Sequence, residues 1–252
     1  MSLLGAYKQV NIIVPELEVV KTWYNQNFTQ TIIAKDNLLN YAKSILSNHA
    51  EFKEKVLSFL QKADSNIVNY KMDKYQLPIP TTVIENIFNT EISSKMKSKL
   101  EANPVIIREE LLFEHEVEIG SKKDKFYLSN HEQSDGTMRL FGLAGIITQA
   151  IEKGSLIVID ELDSSLHPLL VEEILRNFLI ESNESQLIIT THAENVLDQS
   201  GLVKECFWFV EKIEDGSSDI YPLSGFKGLS RIGSIRKSYR LGLFGATPEF
   251  SS

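Results

Sequence analysis

The segment Ser155-Leu156-Ile157-Val158-Ile159-Asp160-Glu161 constrains this chain more than any other. Four apolar residues in a row, most of them β-branched, read as a short strand buried on both faces. Strands of that kind belong to parallel sheets covered by helices. The flanking sequence supplies those helices. Residues Met138 to Lys153 read as an apolar helix before the strand, and Pro168 to Ile180 as a helix after it, with proline in its favoured first turn. A second apolar strand, Leu187 to Thr190, follows. Helix, strand, helix, strand predicts an α/β fold around a parallel sheet.

The remainder is less regular. Residues 1–103 read mainly as helix: Leu38, Leu39, Ala42, Ile45 and Leu46, then Phe52, Val56, Leu57, Phe59 and Leu60, recur at helical spacing behind Asp36, a candidate N-cap. Pro78 and Pro80 mark a break, and the Lys-rich stretch Ser93 to Leu100 is expected to face solvent. After Pro104 the period becomes two, with Leu111, Phe113, His115, Val117 and Ile119 alternating against Glu114, Glu116 and Glu118 as a half-buried strand with a solvated acidic face. A turn at Gly120 to Asp124 leads to a second strand, Lys125 to Leu128, and a closing hairpin joins Cys206–Lys212 to Asp219–Leu223.

Composition narrows the class. The chain is 42% hydrophobic and carries a net charge of -8, so no global field draws it to nucleic acid or anionic membrane. The single cysteine, Cys206, excludes a disulfide framework and a multi-thiolate zinc site, and its apolar run predicts that it is buried. Trp23 and Trp208, also among apolar residues, are expected in the core. No run approaches the roughly 18 apolar residues of a membrane span, and MSLLGAYKQV lacks a signal-peptide layout. The expectation is a cytoplasmic protein with no membrane partner. His49, His115 and His131 lack partners at metal-ligand spacing and read as structural.

The chemistry gathers at strand ends. Asp160 and Glu161 place two carboxylates at the C-terminal edge of a buried parallel strand, where ligands bind in open α/β folds. In phosphoryl transfer one such carboxylate holds Mg²⁺ and the next orients or deprotonates water. The alternative is a strand end with capping acids. Upstream, Ser134-Asp135-Gly136-Thr137 opens the long helix as an anion site or a simple N-cap. Downstream, His192 follows the second strand, where an imidazole can donate to a phosphate oxygen or serve structure alone.

Taken in order, Ser134-Asp135-Gly136-Thr137, Leu156-Ile157-Val158-Ile159-Asp160-Glu161 and Thr191-His192 resemble the signature motif, Walker B and switch histidine of ATP-binding-cassette ATPases. The run Asp160-Glu161-Leu162-Asp163-Ser164-Ser165-Leu166-His167-Pro168 is similar to a prokaryotic AAA-type branch, the ATP/GTP phosphatases akin to the overcoming-lysogenization-defect ATPases. The closing Arg236-Lys237-Ser238-Tyr239 and Gly242-Leu243-Phe244-Gly245-Ala246 resemble the same group's C-terminus. The resemblance implies a P-loop NTPase-like sheet flanked by helices. Residues 1–103 would be a helical subdomain, and 104–252 the C-terminal part of the ATPase domain. It implies ATP and Mg²⁺ as cofactors, Asp160 as the metal carboxylate, Glu161 as general base and His192 as phosphate sensor. Ser134, Gly136 and Thr137 would touch nucleotide held by a second subunit. Relatives often carry an aspartate where His167 stands, so the resemblance assigns His167 no role.

No Gly-x-x-x-x-Gly-Lys-Ser/Thr occurs in the sequence. That loop supplies the backbone cradle and lysine for the triphosphate. The expectation is a fragment without the N-terminal Walker A lobe, with a naturally split or degenerate ATPase as the alternative. The chain alone is expected to be inactive and the whole protein to be a homodimeric switch with shared ATP sites. By family analogy it regulates a nuclease or toxin effector in phage defence, abortive infection or a toxin–antitoxin-like system. Competing readings are a DNA-repair ATPase and a non-catalytic dimerisation module. Lys227, Arg231, Arg236, Lys237 and Arg240 form a basic stretch that reads as a solvated tail and leaves a nucleic-acid contact open.

Overall fold

The structure, a computed structural model, describes residues 7, 14–28, 31–64, 66–88, 98, 104–120 and 122–247, with the side chains of 48 and 85–88 set aside. In chain order its elements are α1 (Pro15–Asn27), α2 (Leu38–Asn48), α3 (Lys53–Ala63), β1 (Ile67–Pro78), α4 (Thr81–Phe88), β2 (Val105–Ile119), β3 (Lys122–Ser129), α5 (Asp135–Lys153), β4 (Leu156–Ile159), α6 (Pro168–Glu181), β5 (Gln186–Ile189), β6 (Trp208–Lys212), β7 (Ser218–Pro222) and α7 (Ile235–Arg240). They fall into two compact units, one of Met1–Lys53 with Arg139–Ser252 and one of Glu54–Met138.

The larger unit is α/β. Its β4 and β5 run parallel, in a register that sets Leu156 opposite Gln186 and Ile159 opposite Ile189. On the other side of β4, Phe28 and Ile32 form parallel bridges to Leu156 and Ile159. The Ile32 N–H donates to Val158 O at 2.9 Å, and the Asp160 N–H donates to Ile32 O at 2.7 Å. β4 is therefore flanked on both edges, and Ile157 and Ile159 are fully buried. Helix α5 turns Leu140, Phe141, Leu143 and Ile147 into the core. A Cβ built on Gly142 would lie 2.4 Å from Leu38 Cβ, so α5 and α2 approach too closely there for any side chain.

A second cluster of the same unit is aromatic. Phe209, Leu223 and Phe244 form its buried centre, with Tyr221, Phe226 and Tyr239 packed against it. It joins the β6–β7 hairpin to α7, because Phe209 stacks on Tyr239 at 5.4 Å and on Phe244 at 5.8 Å.

The smaller unit carries an antiparallel sheet of order β1-β2-β3. Leu111, Phe113 and His115 alternate inward on β2, as the period of two predicts, but the face ends there: Val117 is half-buried and Ile119 is exposed. On its other face Glu114 and Glu116 pair with Lys125 at 3.1 Å and Lys123 at 2.6 Å.

Several expectations change. Residues 1–103 read mainly as helix, yet Ile67–Pro78 is a strand. Its outer half is exposed on both faces, so no alternation marks it. Asp36 is no cap: Asn37 precedes α2, and Asp36 Oδ2 instead accepts the Ile33 N–H at 2.8 Å. Cys206 is exposed, because it lies in the turn before β6. Trp208 points opposite to buried Phe209 and is 59% exposed, and Trp23 on α1 is 46% exposed. The stretch Ser93 to Leu100 lies, save residue 98, outside the described residues. No helix among the described residues is long and apolar enough to cross a membrane.

Candidate functional site

The C-terminal ends of β4 and β5 are tied by one side chain. Thr190 Oγ1 donates to Asp160 Oδ1 at 2.5 Å and accepts the Glu161 N–H at 2.8 Å. The backbone repeats the bond, with the Thr190 N–H on Ile159 O and the Leu162 N–H on Thr190 O, each at 3.0 Å. One oxygen of Asp160 is thereby fixed while the second accepts no hydrogen bond among the described residues. Glu161 is held in the left-handed region, at φ 49°, with Ser165 at 61° in the same turn. Such conformations cost free energy in residues with a side chain and persist where surrounding bonds enforce them. Here the Thr190 bridge and the Ser164 N–H on Glu161 O, at 3.0 Å, do so. The result is an exposed Glu161 carboxylate beside a half-buried Asp160.

A second brace orders the segment after β5. Asp163 Oδ1 accepts from Thr191 Oγ1 at 2.7 Å and from the His192 N–H at 3.1 Å. The His192 ring is exposed. His167 caps α6, its Nδ1 accepting the Leu169 N–H at 3.2 Å. The 3-10 turn Glu194–Asp198 is then tied to the C-terminus, where Ser234 donates to Asp198 at 2.8 Å and Arg240 pairs with Glu194. Two of the basic residues, Arg236 and Arg240, thus face acids of this turn.

Asp160, Glu161 and His192 therefore stand on one braced edge of the larger unit. Ser134, Gly136 and Thr137 belong to the smaller unit or its boundary helix, where Ser134 Oγ accepts the Thr137 N–H at 3.1 Å and caps α5. Sequence reasoning missed Thr190 and Asp163, the two residues that hold this edge together. The available signal was a hydroxyl at the end of an apolar strand, opposite an acid pair. Thr190→Val keeps the shape and removes both side-chain bonds. It is expected to lower stability by about 1–2 kcal/mol, since one lost bond is to a carboxylate. Chemical denaturation checks this, and an unchanged midpoint would show that the bridge does not hold the edge.

Fold and edge together define an α/β protein with acids at the end of a covered parallel strand. A family model described as "AAA domain, putative AbiEii toxin, Type IV TA system" matches residues 31–198. The chain belongs to that family, and so to the P-loop ATPases. No curated protein matches it. Among solved structures it is similar to a chain from work on ATP-driven dimerization and DNA-stimulated activation of SMC ATPases. That match has 15% identity and a TM-score of 0.41, covering 83% of this chain and 99% of the other. The SMC head domain from Thermotoga maritima matches at 17% identity and a TM-score of 0.41, covering 82% of this chain and 60% of that one.

Proposed function

We propose that this chain carries the hydrolytic edge of an ATP-dependent switch protein of the ATP-binding-cassette type. The observation that supports the reading is the Thr190 bridge, which holds one Asp160 oxygen and the Glu161 N–H and leaves the Glu161 carboxylate exposed. The half-held Asp160 offers a hard oxygen donor, as Mg²⁺ requires. No group of three His, Cys, Asp or Glu among the described residues could hold a metal alone. That suits Mg²⁺, which takes one or two carboxylates and completes its shell with water and phosphate oxygens. When bound, the ion neutralises charge on the transferring phosphoryl group. Glu161, exposed and fixed in backbone, accepts the proton of the attacking water. His192 donates to a phosphate oxygen from the segment that Asp163 braces.

Ser134, Gly136 and Thr137 present the positive end of α5 and serve the nucleotide of a second subunit in this reading. The triphosphate cradle is assigned outside these residues, because no Gly-x-x-x-x-Gly-Lys-Ser/Thr motif is among them. The matched family description names a putative AbiEii toxin and a type IV TA system, which supports a role within a toxin–antitoxin pair.

The test of the shared site uses a polypeptide joining this chain to its phosphate-binding loop. Glu161→Gln with Mg-ATP is expected to give twice the protomer mass in light scattering, and adding Ser134→Arg to return it to one. A single mass for both would overturn the shared-site reading.

A further inference from the structure

Arg139, in the first half of α5, is 8% exposed. Its Nη1 donates to Ile33 O at 3.4 Å and to Ala34 O at 3.3 Å, long for bonds from a cation. Its Nε and Nη2 are buried and have no partner. Those two atoms form the side-on fork of a guanidinium, whose parallel N–H bonds match the two oxygens of a carboxylate. A buried arginine stays charged, so an empty fork is costly. A buried polar group of this kind is met by water, by an ion or by a side chain that moves onto it.

Two acids act on this charge. Burial lowers the Arg139 pKa, while Asp36 and, after it, Glu161 oppose that shift. Asp36 Oδ2 already holds the Ile33 N–H. The Glu161 carboxylate is exposed and accepts no hydrogen bond among the described residues. The fork lacks an anion, and of the two acids at the end of β4 Asp160 is tied to Thr190 while the Glu161 carboxylate has no donor among the described residues.

We propose that the Glu161 carboxylate closes onto the Nε–Nη2 fork of Arg139, so that Glu161 alternates between a solvent-facing position and one held against α5. Arg139 is then a positioning residue. The functional meaning rests on reading Glu161 as the proton acceptor: held on Arg139 it is withdrawn from water, and released it is ready. Nη1 also grips the carbonyls of Ile33 and Ala34, next to the Ile32 carbonyl that receives the Asp160 N–H. Movement of α5 would thus reach both acids of the edge.

The pairing is tested without nucleotide, so its failure and that of the ATPase reading are separate. Denaturation midpoints are compared for the chain, Arg139→Met, Glu161→Gln and the double variant. Arg139→Met is expected to lower the midpoint in the parent and to have little effect once Glu161 is Gln. An unchanged or raised midpoint, or an equal loss in both backgrounds, overturns the proposal. A second measurement needs no arginine variant: the NMR resonance of the Arg139 Nε–H. Glu161→Gln is expected to shift it and speed its exchange with water more than Asp36→Asn does. An unmoved resonance, or a larger response to Asp36→Asn, overturns it.

Discussion

In a polypeptide that turns over ATP, Glu161→Gln is expected to lower kcat by about 10²–10⁴ while leaving nucleotide affinity within about threefold, the range of a lost general base. The substitution is nearly isosteric. The left-handed turn, the N–H bond to Thr190 Oγ1 and the Ser164 bond all involve backbone atoms of residue 161 and survive. What disappears is the ability to take a proton. Asp160→Asn is the informative contrast. It disturbs the Thr190 bridge and, if Asp160 holds Mg²⁺ as proposed, its loss should appear first in Mg²⁺-dependent binding. Steady-state turnover with parallel nucleotide-binding measurements separates the two. Full turnover by Glu161→Gln would remove Glu161 from the chemistry.

The second large effect lies away from the edge. Phe244→Ala is expected to cost about 3–5 kcal/mol, the usual range for deleting a buried phenyl ring. Phe244 is 2% exposed, stacks on Phe209 and meets Phe226 edge-on at 5.1 Å. Its carbonyl accepts from Tyr221 Oη at 2.9 Å, so a ring lost there also loosens a tied loop. The C-terminal helix is bonded to Glu194 and Asp198 just after His192. Loss of the aromatic cluster is therefore expected to loosen the segment that carries the histidine. Unfolding followed by the Trp208 fluorescence of β6 reads this directly. A midpoint within about 0.5 kcal/mol of the parent, the scale of a neutral surface change, would show that the cluster is not a core.

The legible parts of this fold were those with an apolar face packed into the core. Strand β4 and helices α5 and α6 announced themselves through that face, and Pro168 marked the start of α6. Strand β1 was invisible because its partner β2 is distant in sequence and its outer half is solvated, so neither alternation nor an apolar run marks it. Trp208 and Cys206 misled for a related reason: an apolar run at a sheet surface alternates, and only Phe209 of that stretch is buried.

The place of Asp160 and Glu161 after β4 was legible in the sequence. Their braces were not, because Thr190 and Asp163 act through hydrogen bonds between strand ends that are adjacent only after folding. Arg139 was hidden too, since a charge in the first half of a largely apolar helix does not reveal that its fork is buried.

In the proposed reading these residues hold the hydrolytic edge of an ATPase site, and residues outside them cradle its triphosphate. Calorimetric titration of Mg-ATP into this chain tests it most directly. No saturable heat is expected up to millimolar nucleotide, for the chain and for Glu161→Gln alike. Saturable binding at micromolar concentration would contradict it, and would mean that residues within this chain build a phosphate cradle of another design.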